Sequence, residues 1–341
     1  MVGGSVVRAA VAGATGYIGV QCVELLAAHP RFELSRLLAR SNAGRRFSDV
    51  VPGSSVGMAL DEGLDPGDAD VVIAALPHTV AAAHAGAWLA RGAVVVDMSA
   101  DFRLHDPAAY RQWYGLEHPA PQLCDEAVYA LPELNAAGLG EANLIAAPGC
   151  FSTAGLLATL PAVRARLVEN DIVVDAKSGV SGAGRSPSLG VHFAEVNESV
   201  KAYSVSGHRH KAELLQELNA AAGVPVRLTF VPHLVPMTRG ILATAYLRTR
   251  DGVSVAQLVD VYRGLCDAHP CLRYDEEPPP TKSVSGTNLA ALNVVEQDGA
   301  VVVTCAIDNL LKGAAGQGIQ ALNLRLGFEE TAGLPLRPAW P

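Results

Sequence analysis

Along the first 150 residues, short continuous apolar runs alternate with segments of helical spacing. The runs "VVRAAVAG" (6–13), "FELSRLLA" (32–39), "DADVVIAALPH" (68–78), "AVVVDMSADF" (93–102) and "ANLIAAPGC" (142–150) predict strands. "GVQCVELLAAHP" (19–30) and "TVAAAHAGAWLARG" (79–92) carry apolar residues at helical intervals, and the first stops at Pro30. Strands that are apolar on both faces belong in a parallel sheet covered by helices. Strand–helix alternation with short links therefore predicts a doubly wound α/β domain. Residues 103–141 break the rhythm with prolines and aromatics and read as irregular.

Past residue 150 the texture changes. A helix is predicted over 151–167. After it, "DIVVDAKSGV", "VRLTFVPHLV", "GILATAYLRT" and "AVVVTCAIDNL" predict longer strands of a mixed or antiparallel sheet. "GAAGQGIQALNLRLGF" (313–328) predicts a last helix, and the Pro-rich tail 331–341 is expected on the surface. The expected organisation is a parallel-sheet domain over 1–148, completed by the C-terminal segment 313–341, and a second α+β domain over 149–312.

Composition narrows the picture. The 341 residues are 50% hydrophobic and 18% charged, enough for a sizeable core and too apolar for extensive disorder. A formal charge of −8 argues against nucleic acid as the main partner, because phosphate contacts need a surplus of Lys and Arg. The stretch 144–163 is uncharged, but Pro148-Gly149 breaks it, so it reads as strand, elbow and helix rather than a membrane span. Six scattered cysteines and an N-terminus without a signal-peptide pattern predict a cytoplasmic protein with reduced thiols.

"AVAGATGYIG" sets Gly13, Gly16 and Gly19 between the first strand and the first helix. Glycines there permit a tight turn and close approach of backbone to a pyrophosphate, with the helix N-terminus supplying N–H groups. A Rossmann-like dinucleotide site is expected. At the end of the second strand an NAD site usually carries a carboxylate for the ribose hydroxyls. Here "LLARSNAGRR" offers Arg40, Ser41, Arg45 and Arg46, which suit a 2′-phosphate, so NADP(H) is the expected cofactor.

Several chemistries drop out. None of Lys177, Lys201, Lys211, Lys282 and Lys312 has Tyr four residues before it, which removes the Tyr-x-x-x-Lys pair of short-chain reductases. "GSSVG" (53–57) matches G-x-S-x-G but follows Pro52 in a loop, not a strand. "CDAHPC" (266–271) and "HRH" (208–210) lack partners at metal-ligand spacing, and no metal is expected. Cys150 is different. It follows Pro148-Gly149 at a predicted helix N-terminus, where the field favours thiolate. A thiolate and a nicotinamide together suggest an aldehyde dehydrogenase-like thioester cycle, which also needs a histidine as general acid/base.

At this point the chain resembles, over nearly its whole length, the N-acetyl-gamma-glutamyl-phosphate reductases of the semialdehyde dehydrogenase group. The matching pieces include "GATGYIG" (13–19), "RSNAGRRFSDV" (40–50), "DMSADFRL" (97–104), "ANLIAAPGCFSTA" (142–154), "SGVSGAGR" (178–185), "FAEVNES" (193–199), "SGHRHKAEL" (206–214), "VPHLVPMTRGI" (231–241) and "NLLKGAAGQGIQALN" (309–323). That family usually has Tyr after the cysteine, where this chain has Phe151.

The resemblance implies NADPH-dependent reduction of N-acetyl-gamma-glutamyl phosphate to N-acetylglutamate 5-semialdehyde and phosphate, a step of arginine biosynthesis. It makes Cys150 the nucleophile and His208 the acid/base. His210 is the runner-up, since alternation along an extended chain would turn it to the opposite face. Gly13, Thr15, Gly16, Tyr17, Ile18, Gly19, Ser41, Arg45 and Asn309 are the implied cofactor-binding residues. Arg103, Ser181, Arg185, Glu195, Arg209 and Arg239 are the implied substrate-binding residues, and Glu195 or Glu213 is a candidate to orient an arginine or the histidine. A homo-oligomer, dimer or tetramer, is implied. The rival readings are the same chemistry on aspartyl phosphate or on a carrier-bound glutamyl or aminoadipyl phosphate, and a non-catalytic NADP sensor.

Overall fold

The computed structural model describes residues 6–339. In chain order the elements are β1 (Val7–Ala12), α1 (Tyr17–Ala28), β2 (Phe32–Leu38), α2 (Phe47–Val50), β3 (Leu60–Asp61), β4 (Val71–Ala74), α3 (Val80–Ala90), β5 (Val94–Asp97), α4 (Pro107–Tyr114), β6 (Val128–Tyr129), α5 (Pro132–Asn135) and β7 (Leu144–Ala146). Then follow α6 (Cys150–Arg164), β8 (Asp171–Ser178), α7 (Phe193–Val196), β9 (Lys201–Ala202), α8 (His210–Ala222), β10 (Arg227–Leu234), β11 (Ile241–Leu247), α9 (Val255–Ala268), β12 (Leu272–Tyr274), β13 (Ala290–Gln297), β14 (Ala300–Ile307) and α10 (Ala315–Arg325).

The chain divides into two units. Residues up to Pro148 and Ala314–Leu334 form the first, and Gly149–Gly313 with the residues from Pro335 onward form the second. In the first, seven strands lie in the order β3-β2-β1-β4-β5-β7-β6, all parallel. β4 and β5 are buried at every position, as strands covered on both faces must be. The strand order reverses between β1 and β4, the switch point beside which doubly wound folds bind ligands. α10 packs on α1 and β7 within this unit.

The second unit holds a mixed sheet in the order β12-β13-β14-β11-β8-β10-β9. β8 and β10 run parallel, while β11 pairs antiparallel with both β8 and β14. α6 is buried at every residue from Phe151 to Val163, because β11, β14 and α8 all pack on it. Its start at Cys150 is therefore fixed by the core.

Three expectations change. Residues 103–141 contain a real helix, α4, capped by the Asp106 carboxylate on the Ala108 N–H (2.8 Å) and ended by Gly115 at φ +70°. The helix predicted over 151–167 stops at Arg164, and Arg166 takes φ +57°. The tail is not simply laid on the surface. Leu334 is buried, the Pro335 carbonyl accepts the Asn288 N–H (2.7 Å), and Leu336 packs on the cluster of Val284, Leu289, Ala291 and Ala306. Proline removes a donor but leaves a carbonyl, and that of Pro335 is used.

Candidate active site

In the first unit the turn after β1 is built by glycine. Gly13 sits at φ +81°, and a Cβ there would strike the Ala75 carbonyl oxygen. A Cβ at Gly19 would strike the carbonyl of Gly13, so α1 can approach the strand this closely only with glycine. The N–H groups of Gly13 and Ala14 donate to the Leu38 carbonyl, tying the turn to the end of β2 (2.9 and 3.1 Å). Gly16 caps α1 with no side-chain bond, and the first turn carries no acidic residue. Thr15 and Ile18 are half-buried and Tyr17 is exposed. These residues fit a dinucleotide pyrophosphate: the turn has no side-chain bulk and the helix end offers N–H groups.

The loop after β2 is exposed at Arg40, Ser41, Arg45 and Arg46. Arg45 donates to Asn42 Oδ1 (3.3 Å) and to the Asp49 carbonyl (3.0 Å), which shapes the loop. A carboxylate also stands near: β3 sets Asp61 beside Leu38, and the Asp61 carbonyl accepts the Ala39 N–H (3.0 Å). The linear reading missed it because it lies 23 residues beyond Leu38 (61 − 38) on a two-residue strand. Asp97, at the end of β5, is another carboxylate it passed over. Burial and the neighbouring Asp101 raise its pKa to about 6, while it accepts the Ser99 N–H (2.8 Å). Arg103, nearly buried, donates to the carbonyls of Ala147 (2.7 Å) and Met98 (3.1 Å).

In the second unit Cys150 is the first residue of α6, and Gly149 is the cap. Two glycines allow neighbours against this elbow. A Cβ at Gly149 would lie 2.5 Å from Nε2 of His210, so the imidazole packs on the glycine itself. A Cβ at Gly313 would lie 2.8 Å from Cβ of Cys150, so the turn before α10 closes on the cysteine. The Gly149 N–H donates to Oε2 of the fully buried Glu213 (2.9 Å).

The "HRH" segment is not extended. Arg209 is helical at φ −52°, ψ −39°, and α8 begins at His210. The two imidazoles therefore share one side, with ring centroids 4.7 Å apart, and both meet the Phe151 ring edge-on (5.5 and 5.9 Å). The alternation expected from an extended chain does not apply. Tyr203 and Phe230 complete an aromatic wall around His208 (5.7 and 5.8 Å). His208 Nδ1 accepts the His210 N–H (3.1 Å). Burial, with the charge of Arg209, pushes the His208 pKa down to about 4, so its ring is neutral at pH 7.

The cysteines separate clearly. Cys150 is half-buried, whereas the other five are buried. Burial pushes the thiols of Cys22 and Cys266 up to about 12 and that of Cys124, helped by Asp125, to about 11.

Of the remaining predicted residues, three cluster. Asn309 is buried, donates to Ser181 Oγ (3.0 Å) and accepts the Gly240 N–H (2.7 Å). Arg239 pairs with the buried Asp308 (2.9 Å), whose other bonds hold the N–H groups of Gly286, Leu310 and Leu311. Arg185, Glu195 and Arg209 are exposed. Asn309 thus ties the Ser181 and Gly240 loops of the second unit together.

Comparison with known proteins fits this geometry. Residues 8–142 match the family model "Semialdehyde dehydrogenase, NAD binding domain", and 150–309 match "Semialdehyde dehydrogenase, dimerisation domain". The crystal structure of aspartate semialdehyde dehydrogenase II from Vibrio cholerae, complexed with ASA, shares the fold. Its TM-score is 0.73 at 16% identity, covering 95% of this chain and 99% of that one. The chain belongs to the semialdehyde dehydrogenase family of oxidoreductases. Within that family, relatives named N-acetyl-gamma-glutamyl-phosphate reductase align over nearly the whole chain. The relative from Dehalococcoides mccartyi is 44% identical over 98% of this chain and 99% of its own. The one from Symbiobacterium thermophilum is 47% identical over 96% and 97%. Among the described residues no helix is long and apolar enough to cross a membrane.

Proposed function

We propose that this chain reduces N-acetyl-gamma-glutamyl phosphate to N-acetylglutamate 5-semialdehyde and phosphate through a thioester on Cys150, as a step of arginine biosynthesis. The observation that carries the reading is the His210 ring packed on Gly149, one residue from a half-buried cysteine at a helix N-terminus. The imidazole takes the thiol proton, and the thiolate attacks the acyl carbon. The carbon–oxygen bond to phosphate breaks, and inorganic phosphate leaves. Bound NADPH supplies the hydride that reduces the thioester carbonyl. The imidazolium protonates the resulting alkoxide to give the thiohemiacetal, and the imidazole takes that hydroxyl proton back as the carbonyl re-forms, the carbon–sulfur bond breaks and the thiolate leaves.

His210 suits this role better than His208. A general acid/base works best with a pKa near the operating pH, and His208 is held far below it with Nδ1 already accepting the His210 N–H. Arg185, Arg209 and Arg239 supply guanidiniums for the substrate's phosphate and carboxylate, with Ser181 as a hydroxyl donor and Glu195 to orient an arginine. Arg103, in the first unit, is a further guanidinium proposed for the substrate, its Nε and one terminal nitrogen anchored by carbonyls.

For the cofactor, Gly13, Thr15, Gly16, Tyr17, Ile18 and Gly19 hold the pyrophosphate, and Ser41 and Arg45 hold a 2′-phosphate. Asn309 is a further cofactor-binding residue in this reading, and its amide also fixes the Ser181 and Gly240 loops. Replacing both Ser41 and Arg45 with alanine is expected to raise KM for NADP⁺ about tenfold or more and leave KM for NAD⁺ nearly unchanged. Equal effects on the two cofactors would reject the assignment.

A homo-oligomer fits the second unit. Val173 and Tyr246 are exposed neighbours on its sheet, and Leu189 and Phe193 are 74% and 77% exposed. Without a disulfide among the described cysteines, a reducing cytoplasm is the compartment that fits.

The deciding assay is NADPH formation from N-acetylglutamate 5-semialdehyde, NADP⁺ and phosphate, with aspartate semialdehyde beside it. Phosphate-dependent turnover of the acetylated substrate alone is the expected result. Turnover of aspartate semialdehyde alone would overturn the substrate assignment.

A further inference from the structure

The segment that follows α10, residues 328–334, lies on the first unit without a helix or strand of its own. Such a strap keeps its place only through side-chain and turn contacts. Asn323, fully buried in α10, donates its Nδ2 to the carbonyls of Glu330 and Ala332 (3.0 Å each). With the amide nitrogen spent, its Oδ1 meets Nε2 of His29 (3.1 Å). His29 ends α1 and is 4% exposed, and its Nδ1 accepts the Arg31 N–H (3.1 Å). Together these bonds define a neutral imidazole with its one proton on Nε2. The strap packs on that ring. A Cβ at Gly333, which sits at φ +68°, would strike the imidazole, and the rings of Phe32 and Phe328 lie 4.7 and 6.2 Å from it.

We infer that His29 is an acid-sensitive latch: its neutral ring holds the strap 328–334 on the first unit, and protonation sets the strap loose. A second proton on Nδ1 would turn the bond from Arg31 into two N–H groups facing each other. The ring cannot swing away in place, because Gly333 and two phenyl rings pack on it. No carboxylate among the described residues pairs with His29 to offset the charge. Glu33 on β2 is exposed. Glu329 accepts the Thr331 hydroxyl (2.6 Å), while Glu330 and Glu133 both accept from Gln320 Nε2 (2.7 Å each). The nearby cation is Arg31, its guanidinium stacked on Phe328 (4.5 Å to the ring centre). Burial, then the charge of Arg31, outweigh the Asn323 and Ala332 oxygens, so the His29 pKa lies below its ordinary value. A freed ring takes a proton near 6.5 and the latched ring resists it, so the latched form loses ground as pH falls through that range. None of this depends on the chemistry at Cys150.

The test is hydrogen–deuterium exchange of the full-length protein, read by mass spectrometry at about pH 7.5 and about pH 5.5, with labelling times scaled to the intrinsic pH dependence. Relative to β4 and β5, protection of residues 328–334 is expected to fall about tenfold at the lower pH, the gain of a freed histidine of ordinary pKa. His29→Gln offers an amide N–H toward Asn323 and has no proton to gain, so its strap should be equally protected at both pH values. A parent protein whose strap keeps its protection in acid would overturn the inference. So would a His29→Gln variant that loses protection in acid as the parent does. Should His29→Gln not fold, Gly333→Ala lifts the strap from the ring instead. Its strap is expected to exchange freely already at about pH 7.5 with little further change in acid, and a parent-like profile would overturn the latch.

Discussion

Cys150→Ala is expected to lower kcat by roughly four orders of magnitude or more, because no other side chain can replace the covalent step. NADP(H) binding should survive, since the glycine turn at 13–19 belongs to the other unit. Stability should change little. Alanine keeps the Cβ that sits against Gly313, and a half-buried sulfur leaves only a small void. The measurement is a pair: steady-state phosphate-dependent NADPH formation, and cofactor binding by fluorescence titration. Lost turnover with intact binding assigns the thiol. Retained turnover would remove the thioester mechanism, and no other cysteine is a ready substitute, because the rest are buried. The carbonyl would then have to be reduced without prior acylation, which leaves the phosphate requirement unexplained.

Much of this site could be read from the sequence because its first elements are local. A glycine turn between strand and helix, and Pro-Gly before Cys150, each act within a few residues, and the chain carries their signals contiguously. Contacts across the fold were less legible. The two histidines illustrate it. Spacing of two suggests opposite faces on an extended chain, but the turn at Arg209 puts both rings on Phe151. That His210 meets Gly149 depends on α6 packing against α8, which no local pattern encodes. Asp61 reaches the end of β2 only through a two-residue strand, and Asn309 turns to Ser181 across 128 residues. The tail is similar: its anchor is the Asn288 N–H, distant in sequence. α4 is a different case. Asp106-Pro107 at its start and Gly115 at its end are local signals, and prolines elsewhere in 103–141 masked them. β13 was also passed over. Its first five residues are buried, so it lacks the alternation that marks a half-exposed strand.

The choice between the two histidines is the sharper experiment, because the sequence favours one and the contacts favour the other. His210→Ala should lower kcat by about 10²–10⁴-fold, the range for losing a general acid/base. His208→Ala should cost far less at neutral pH and act mainly on stability, through the lost acceptor for the His210 N–H. The sign of its pH effect follows from burial. His208 is held neutral down to about pH 4, while in the unfolded chain it takes a proton near 6.5. As pH falls from 6.5 toward 4 the unfolded state gains a proton that the native state refuses, so native stability drops across that window. His208→Gln removes this titration and retains a side-chain acceptor. Its thermal midpoint should therefore fall less than that of the parent between pH 6.5 and 4. Activity and stability thus sort the pair independently. If His208→Ala proves the more damaging to kcat and His210→Ala is tolerated, the proton passes through His208. The ring packed on Gly149 is then a spacer that shapes the elbow.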